Sequence, residues 1–459
     1  MISFLKSNVL PLSSLLPFEL KQSINEGKEI DFLEEKLRAY SQIENGHPDK
    51  ENMAGYIIDS LQELPVRKDF PFKEPSALEA IKKERPADIN YHKFERSLLN
   101  EEKLFDKIYG AWLGRCSGCL LGQPVEFWNR ERLIGLLKDT GNYPIKYYIS
   151  SNIKEEIKNK YEIRDEAWIY DVAAASWINN IDCMPEDDDI NYTILALKLI
   201  ENIGINFTSE DVAGRWIMDL PFLHTFTAER IAYSNIVNRR FPPNSAYYRN
   251  PCREWIGAQI RGDLFGWINP GKPELAAEMA WRDASVSHTK NGIYGEMFIS
   301  AILATAVYTD DAEELIRYGL SQIPQRSRLA EDIKTLIKWK KHGLDWEQVL
   351  DKIHEKYNEK DEYDSLYVIP NALVVCTSIL YGEMDFEKSV GIAVMGSFDK
   401  DCNGATVGSV IGMILGASGL PEKWTKPLNN TVKSCIKGFG TEKISNLAER
   451  TVKIILKNT

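Results

Sequence analysis

The sequence predicts an all-α fold from three of its features. Beyond residue 99, apolar residues recur at the three-and-four spacing of a helix along most of the chain. Period-two alternation is rare, and tight hairpin turns between alternating segments are missing. Two apolar stretches carry glycine at every fourth position, Gly110-Gly114-Gly118 and Gly404-Gly408-Gly412-Gly416, so one face of each predicted helix is bare backbone. Three glycines inside one helix lower its propensity by roughly 1 kcal/mol each, which points to close packing against a neighbour.

The bulk properties fit a large soluble globular protein. The chain has 459 residues, 44% hydrophobic and 27% charged, enough for an extensive core. A net charge of -11 argues against nucleic acid or an anionic membrane surface as partner. Seven cysteines at irregular spacing read as reduced thiols, which points to a cytoplasmic protein. Cys116 and Cys119 form a CxxC with no second pair or nearby histidine, so they are expected to be small buried residues of a helix. The apolar stretch from Val9 to Phe18 is interrupted by Pro11 and Pro17, so neither a signal peptide nor a membrane span is expected.

Residues 1–98 read as an N-terminal helical extension or cap. Phe32, Leu33 and Leu37, then Ile57, Ile58, Leu61 and Leu64, give short helical periods before Pro65, Pro71, Pro75 and Pro86 break the pattern. Residues 99–459 form the main unit. Its expected helices are 101–121, 191–204, 226–236, 274–282, 292–307, 312–320, 327–340, 346–356, 369–381, 386–396, 404–418 and 444–457.

Chemistry concentrates in a few stretches. In Ser397-Phe398-Asp399-Lys400-Asp401-Cys402-Asn403-Gly404, two carboxylates lie two residues apart before a buried helix, and Asp401 or Asn403 is placed to cap its first amides. Carboxylates at a rigid helix end suit a hard cation. An EF-hand is the competing reading, but Val410 stands where that loop needs its twelfth-position glutamate. A membrane helix with a GxxxG face and a capped core helix are the others.

A second acidic run, Glu186-Asp187-Asp188-Asp189, precedes another apolar helix. One or two of these carboxylates satisfy a cap and the helix dipole; a bound cation gives a reason for the rest. Glu126 follows the first glycine-spaced helix and reads as a solvated loop residue or as a general acid or base in a cleft. His288, at a helix start, reads as a cap, a hydrogen-bonded structural residue or a ligand contact. The polar stretch holding Gly257 and Arg261 is a candidate for contacts to a charged or sugar ligand.

These stretches, in this order, resemble the ADP-ribosylglycohydrolase family. Gly114, Gly118, Gly122 and Glu126 match the frame of a "GxxxGxxxGDxxGxxxE"-like helix. Asp187-Asp188-Asp189-Ile190 is similar to a "TDDT" motif, and Ser397 to Cys402 to "GGDTDT". The resemblance covers about residues 104–420. It implies an all-α fold with one or two Mg2+ or Mn2+ ions held by Asp187, Asp188, Asp189, Asp399, Asp401 and Cys402. It implies hydrolysis of a glycosidic bond in a small-molecule or protein-linked ADP-ribosyl or related glycosyl substrate, with Glu126 and Asp188 catalytic and Gly257, Arg261 and His288 on the substrate. This sequence has Cys119 where the family has an acid, Asp187 and Ile190 for the threonines of "TDDT", and Cys402 for the last threonine of "GGDTDT". The alternatives are a degenerate ADP-ribose or nucleotide-sugar binding protein and a magnesium-dependent aspartate-rich lyase of the terpene-synthase kind, whose second metal motif is not visible here.

Overall fold

The computed structural model describes residues 11–87, 100–165 and 176–458, and helices dominate them. In chain order, the helices that frame the site are α1 (Leu12–Asn25), α2 (Pro48–Glu63), α3 (Glu101–Gly122), α4 (Asp188–Ile203), α5 (Thr227–Val237), α6 (Lys290–Ala306), α7 (Val368–Tyr381), α8 (Phe386–Met395), α9 (Lys400–Leu415) and α10 (Ile444–Lys457). Between α9 and α10, strands β1 (Thr431–Lys433) and β2 (Thr441–Lys443) pair antiparallel. The hairpin was not expected: three residues per strand are too few for an alternation to register.

Local signals explain where the main helices begin. Asn100 caps α3 through Lys103 N at 2.8 Å, with Glu101 and Glu102 in its first turn. Asp187 caps α4 by accepting from Asp189 N at 2.9 Å. α9 departs from its expected start. It begins at Lys400 rather than 404, so Asp401 and Asn403 lie inside its first turn and neither caps it. Asp399 holds the cap position, yet its side chain makes no capping bond.

Helices Arg130–Asp139, Glu155–Lys160 and Ser209–Asp219 were also not expected. The last is announced by a capping box, Thr208 with Asp211. The helices around 226–236, 274–282, 292–307, 346–356, 369–381 and 444–457 form within a few residues of the expected bounds.

The extension is helical. α1 runs through Pro17, which removes a single hydrogen bond near its start. α1 and α2 share a small apolar cluster that includes Leu15, Leu16, Ile57, Ile58 and Leu61. The 98/99 boundary falls among residues outside those described. Among the described residues, all seven cysteines are free, and no helix is long and apolar enough to cross a membrane.

α3 and α9 meet on their glycine faces and run antiparallel. A Cβ built on Gly110, Gly114 or Gly118 would overlap the carbonyl oxygen of Gly412, Gly408 or Gly404, inside the 3.0 Å that real Cβ atoms keep. The reciprocal substitutions on α9 meet the carbonyls of α3 in the same way. A side chain at Gly122 would strike the backbone at Lys400 and Asp401. Backbone contact thus fixes the last turn of α3 against the first turn of α9.

Candidate active site and metal centre

The glycine register places the loop after α3 beside the start of α9. Glu126 follows the single 3-10 turn Gln123–Val125 and lands next to Asp399 and Asp401, one carboxylate oxygen of each lying within 4.8 Å of the others. Lys400 ties the two elements together. Its amine donates to the carbonyl oxygens of Glu126 at 3.1 Å, Phe398 at 3.4 Å and Trp128. Burial draws this amine down to about 8, against the pull of nearby carboxylates.

The turn before α9 is strained and pinned. Ser397 and Phe398, where the resembled motif has two glycines, take φ of +68° and +58°. Phe398 stacks on His354, with ring centroids 4.6 Å apart. The Asn371 side-chain oxygen on α7 accepts from Asp399 N at 3.0 Å and from Asn403 Nδ2 at 2.8 Å. Asp399 Oδ1 and Asp401 Oδ1 are buried with no hydrogen-bond donor among the described residues.

The acidic run at the head of α4 faces the same space. Gln123 Nε2 donates to Asp187 Oδ2 at 2.9 Å and to the Glu186 carbonyl at 3.0 Å. Asp189 turns inward. Arg115, fully buried on α3, lies 3.1 Å from Asp189 Oδ1 and 2.9 Å from Asp263. An oxygen of Asp189, one of Asp401 and the Cys402 sulfur lie within 4.8 Å of one another, and Cys119, Asp187 and Asp189 form a similar group.

A cavity of about 400 Å3 opens onto this cluster, lined among others by Gln123, Glu126, Asp187, Asp188, Asp399 and Asp401. Cys402 and Gly257 also line it, whereas Asp189 stands behind Asp188. Burial, then the surrounding aspartates, pushes Glu126 well above the usual carboxylate range. Burial followed by Asp187 and Asp399 does the same to Asp188, and burial followed by Glu126 and Asp399 to Asp401. Burial raises Asp187 as well, and it raises Asp189 against the opposing pull of Arg115.

Such an array resists ionisation without a positive partner, and two of its buried oxygens have no donor. Both facts fit a divalent cation with a preference for oxygen. Asp399 and Asp401 with Glu126, and Asp187 and Asp188 across the cavity, are the residues that would hold one.

Arg261 and His288 are placed differently from expectation. Neither lines the cavity. Arg261 is buried in contacts with Asp283 at 2.5 Å and Glu229 at 2.7 Å, and His288 lies against Ser287 Oγ at 2.8 Å. They stand behind Glu229, which does line the cavity and whose carboxyl burial pushes up to about 7 despite Arg261. The ion pairs withdraw Arg261 from the cavity, so its contact is with Glu229 rather than with a ligand.

Residues the sequence reading missed include Gln123, Phe127, His224, Phe226, Glu229 and Trp255, all on the cavity wall. Gln123 follows Gly122 directly and could have been found from the motif frame. His224 and Trp255 carry no local signal. Phe127 is 82% exposed at the cavity mouth, and the buried Trp255 Nε1 has no acceptor.

Comparison with known proteins bears on the family of the chain. No curated protein matches the chain. Its fold is similar to a solved structure described as "ADP-ribosylglycohydrolase-related protein complex", at 15% identity and a TM-score of 0.48, covering 78% of this chain and 100% of that one. The family model described as ADP-ribosylglycohydrolase matches residues 100–458, and the chain belongs to that family.

Proposed function

We propose that this protein is a divalent-cation-dependent glycohydrolase that cleaves the N- or O-glycosidic bond of an ADP-ribosyl group, free or protein-linked, or of a closely related ribosyl compound. The observation that carries this reading is the convergence of Glu126, Asp399 and Asp401 on one cavity, with buried oxygens that no donor satisfies. Family membership supports the reaction class and leaves the lyase alternative without support.

A bound Mg2+ or Mn2+ supplies positive charge that orients sugar hydroxyls and lowers the pKa of a water nucleophile. The residues supply the rest. Glu126 lines the cavity beside Asp399 and Asp401, and burial raises its carboxyl above the usual carboxylate range, so it is the residue placed to donate or accept a proton. Asp188 faces the cavity and stabilises the positive charge that develops at the anomeric carbon. Gln123 fixes Asp187 by a side-chain hydrogen bond. Phe127 and Phe226 present apolar rings at the mouth, and the Trp255 indole N–H awaits an acceptor.

The test is release of ADP-ribose from N- and O-linked ADP-ribosyl peptides with Mg2+ or Mn2+. Asp399→Asn is expected to lower kcat/KM at least a hundredfold while the far-UV circular dichroism is unchanged. Full turnover by Asp399→Asn would overturn the assignment. Stabilisation by ADP-ribose without turnover of any of these substrates would instead make the protein a binder that kept the cavity and lost the reaction.

A further inference from the structure

At the rim of the cavity, three side chains from three distant parts of the chain converge. His224 Nδ1 lies 2.5 Å from Glu186 Oε1, and the Cys435 sulfur lies within 4.8 Å of both donor atoms. The backbone sets this meeting. The segment entering α4 forms a parallel bridge with β1, Met184 against Val432, with Met184 N donating to Thr431 O at 2.9 Å and Lys433 N to Met184 O at 3.0 Å. That bridge carries Glu186 and Cys435 forward side by side.

Asn191, buried on α4, then clamps both. Its Nδ2 donates to Glu186 Oε1 at 3.2 Å, and its Oδ1 accepts from Cys435 N at 3.1 Å and from Ser434 Oγ at 2.8 Å. An ordinary surface His–Glu pair needs no such support. Metal ligands commonly have it, because outer hydrogen bonds fix their orientation.

We propose that Glu186, His224 and Cys435 form a second divalent-cation site, separate from the aspartate cluster and selective for a thiophilic ion of the zinc class. One carboxylate, one imidazole and one thiolate match the donor set of zinc and not that of magnesium. Ligand atoms on a tetrahedral ion stand roughly 3.4 Å apart for bonds of zinc length, so the His224–Glu186 contact opens by about 1 Å on binding. Binding displaces the thiol proton of Cys435 and any proton shared by His224 and Glu186. Glu186 and His224 both line the cavity, so an ion held by them would sit at its edge. Three protein ligands with one open position is the pattern of a site that accepts an exogenous ligand.

The test reads binding rather than turnover and is therefore independent of which bond the protein cleaves. The full chain, reduced, freed of metal and saturated with Mg2+, is titrated with Co2+ and followed by absorption. One equivalent should give a sulfur-to-cobalt charge-transfer band with the intense visible bands of a tetrahedral ion, and Zn2+ should abolish both. Cys435→Ser should lose the charge-transfer band, while Cys119→Ser and Cys402→Ser keep it. Asn191→Ala should weaken Co2+ binding by roughly ten- to hundredfold. If Cys435→Ser does not fold, His224→Gln must show at least a tenfold loss of Co2+ affinity. Absence of the band in the parent chain, its survival in Cys435→Ser, or its loss in Cys402→Ser overturns the proposal.

Discussion

Among the buried carboxylates of the described residues, two groups are built on opposite plans. Between the extension and the main unit, Glu19, Glu26, Glu74 and Glu254 are matched by Lys28, Arg253, Lys290 and Arg328. Arg253 reaches Glu19 at 2.7 Å and Glu26 at 2.9 Å, and Gln22 bridges Glu26 and Glu254. Burial alone would raise Glu26, but Arg253, Lys290 and Lys28 together hold it well below the usual range. At the cavity, Glu126, Asp187, Asp188, Asp399 and Asp401 have no such partner among the described residues. Arg115 serves Asp189 and Asp263, and the Lys400 amine is turned to backbone carbonyls. The chain can supply cations to buried acids when they only join two regions. Where it withholds them, the described residues leave the cluster's negative charge unbalanced, which is the basis of the cation-dependent reading proposed above.

Removing one cation from the matched cluster should have the largest effect. Arg253→Met strands Glu19 and Glu26 in the interior and is expected to lower stability by about 3–5 kcal/mol, read by urea unfolding. If the loss is below about 1 kcal/mol, the matched cluster is not an electrostatic joint. Next comes the cluster without cations. Mg2+ or Mn2+ at about a hundred times its Kd should stabilise chelator-treated protein by about 2.7 kcal/mol, measured by thermal unfolding.

A smaller effect of opposite sign separates the two plans further. Without metal, Asp401→Asn replaces a carboxyl whose ionisation is opposed by burial and by Glu126 and Asp399, so it should stabilise the protein while abolishing the metal-induced shift. A destabilisation in chelator would mean that Asp401 is already paired.

The smallest effect is the pH trend. Cavity carboxylates hold their protons to higher pH in the folded chain than in the unfolded one, which ionises near 4. Their contribution to stability is therefore lost as pH rises from about 4 through their raised values. Glu26 and Glu74 are depressed, so their contribution is present above about 4.5 and is lost as pH falls through their folded values. Urea unfolding across pH, with and without Mn2+, should show the first trend vanish with metal and the second persist.

Much of the site was legible before any coordinates. The four-residue glycine spacing announced a helix pair in backbone contact, and it is α3 against α9 that meets this way. The acidic runs were found because they precede apolar helices, where local sequence marks a helix start. Arg261 and His288 read as ligand contacts because a polar residue in a glycine-containing stretch looks the same whether its partner is a substrate or a buried glutamate. Glu229, which decides the matter, lies 32 residues from Arg261.

Sequence alone therefore settled most of the long helices, which helix faces lack side chains and which carboxylates crowd the helix starts, because each is a property of residues within a few turns of one another. The tertiary structure decided which acids meet cations and which do not. The pairing of Arg253 with Glu19 spans 234 residues, and that of Glu186 with His224 spans 38. Such partners are chosen by how helices dock and what they bury, and that choice is made only when the whole chain has packed.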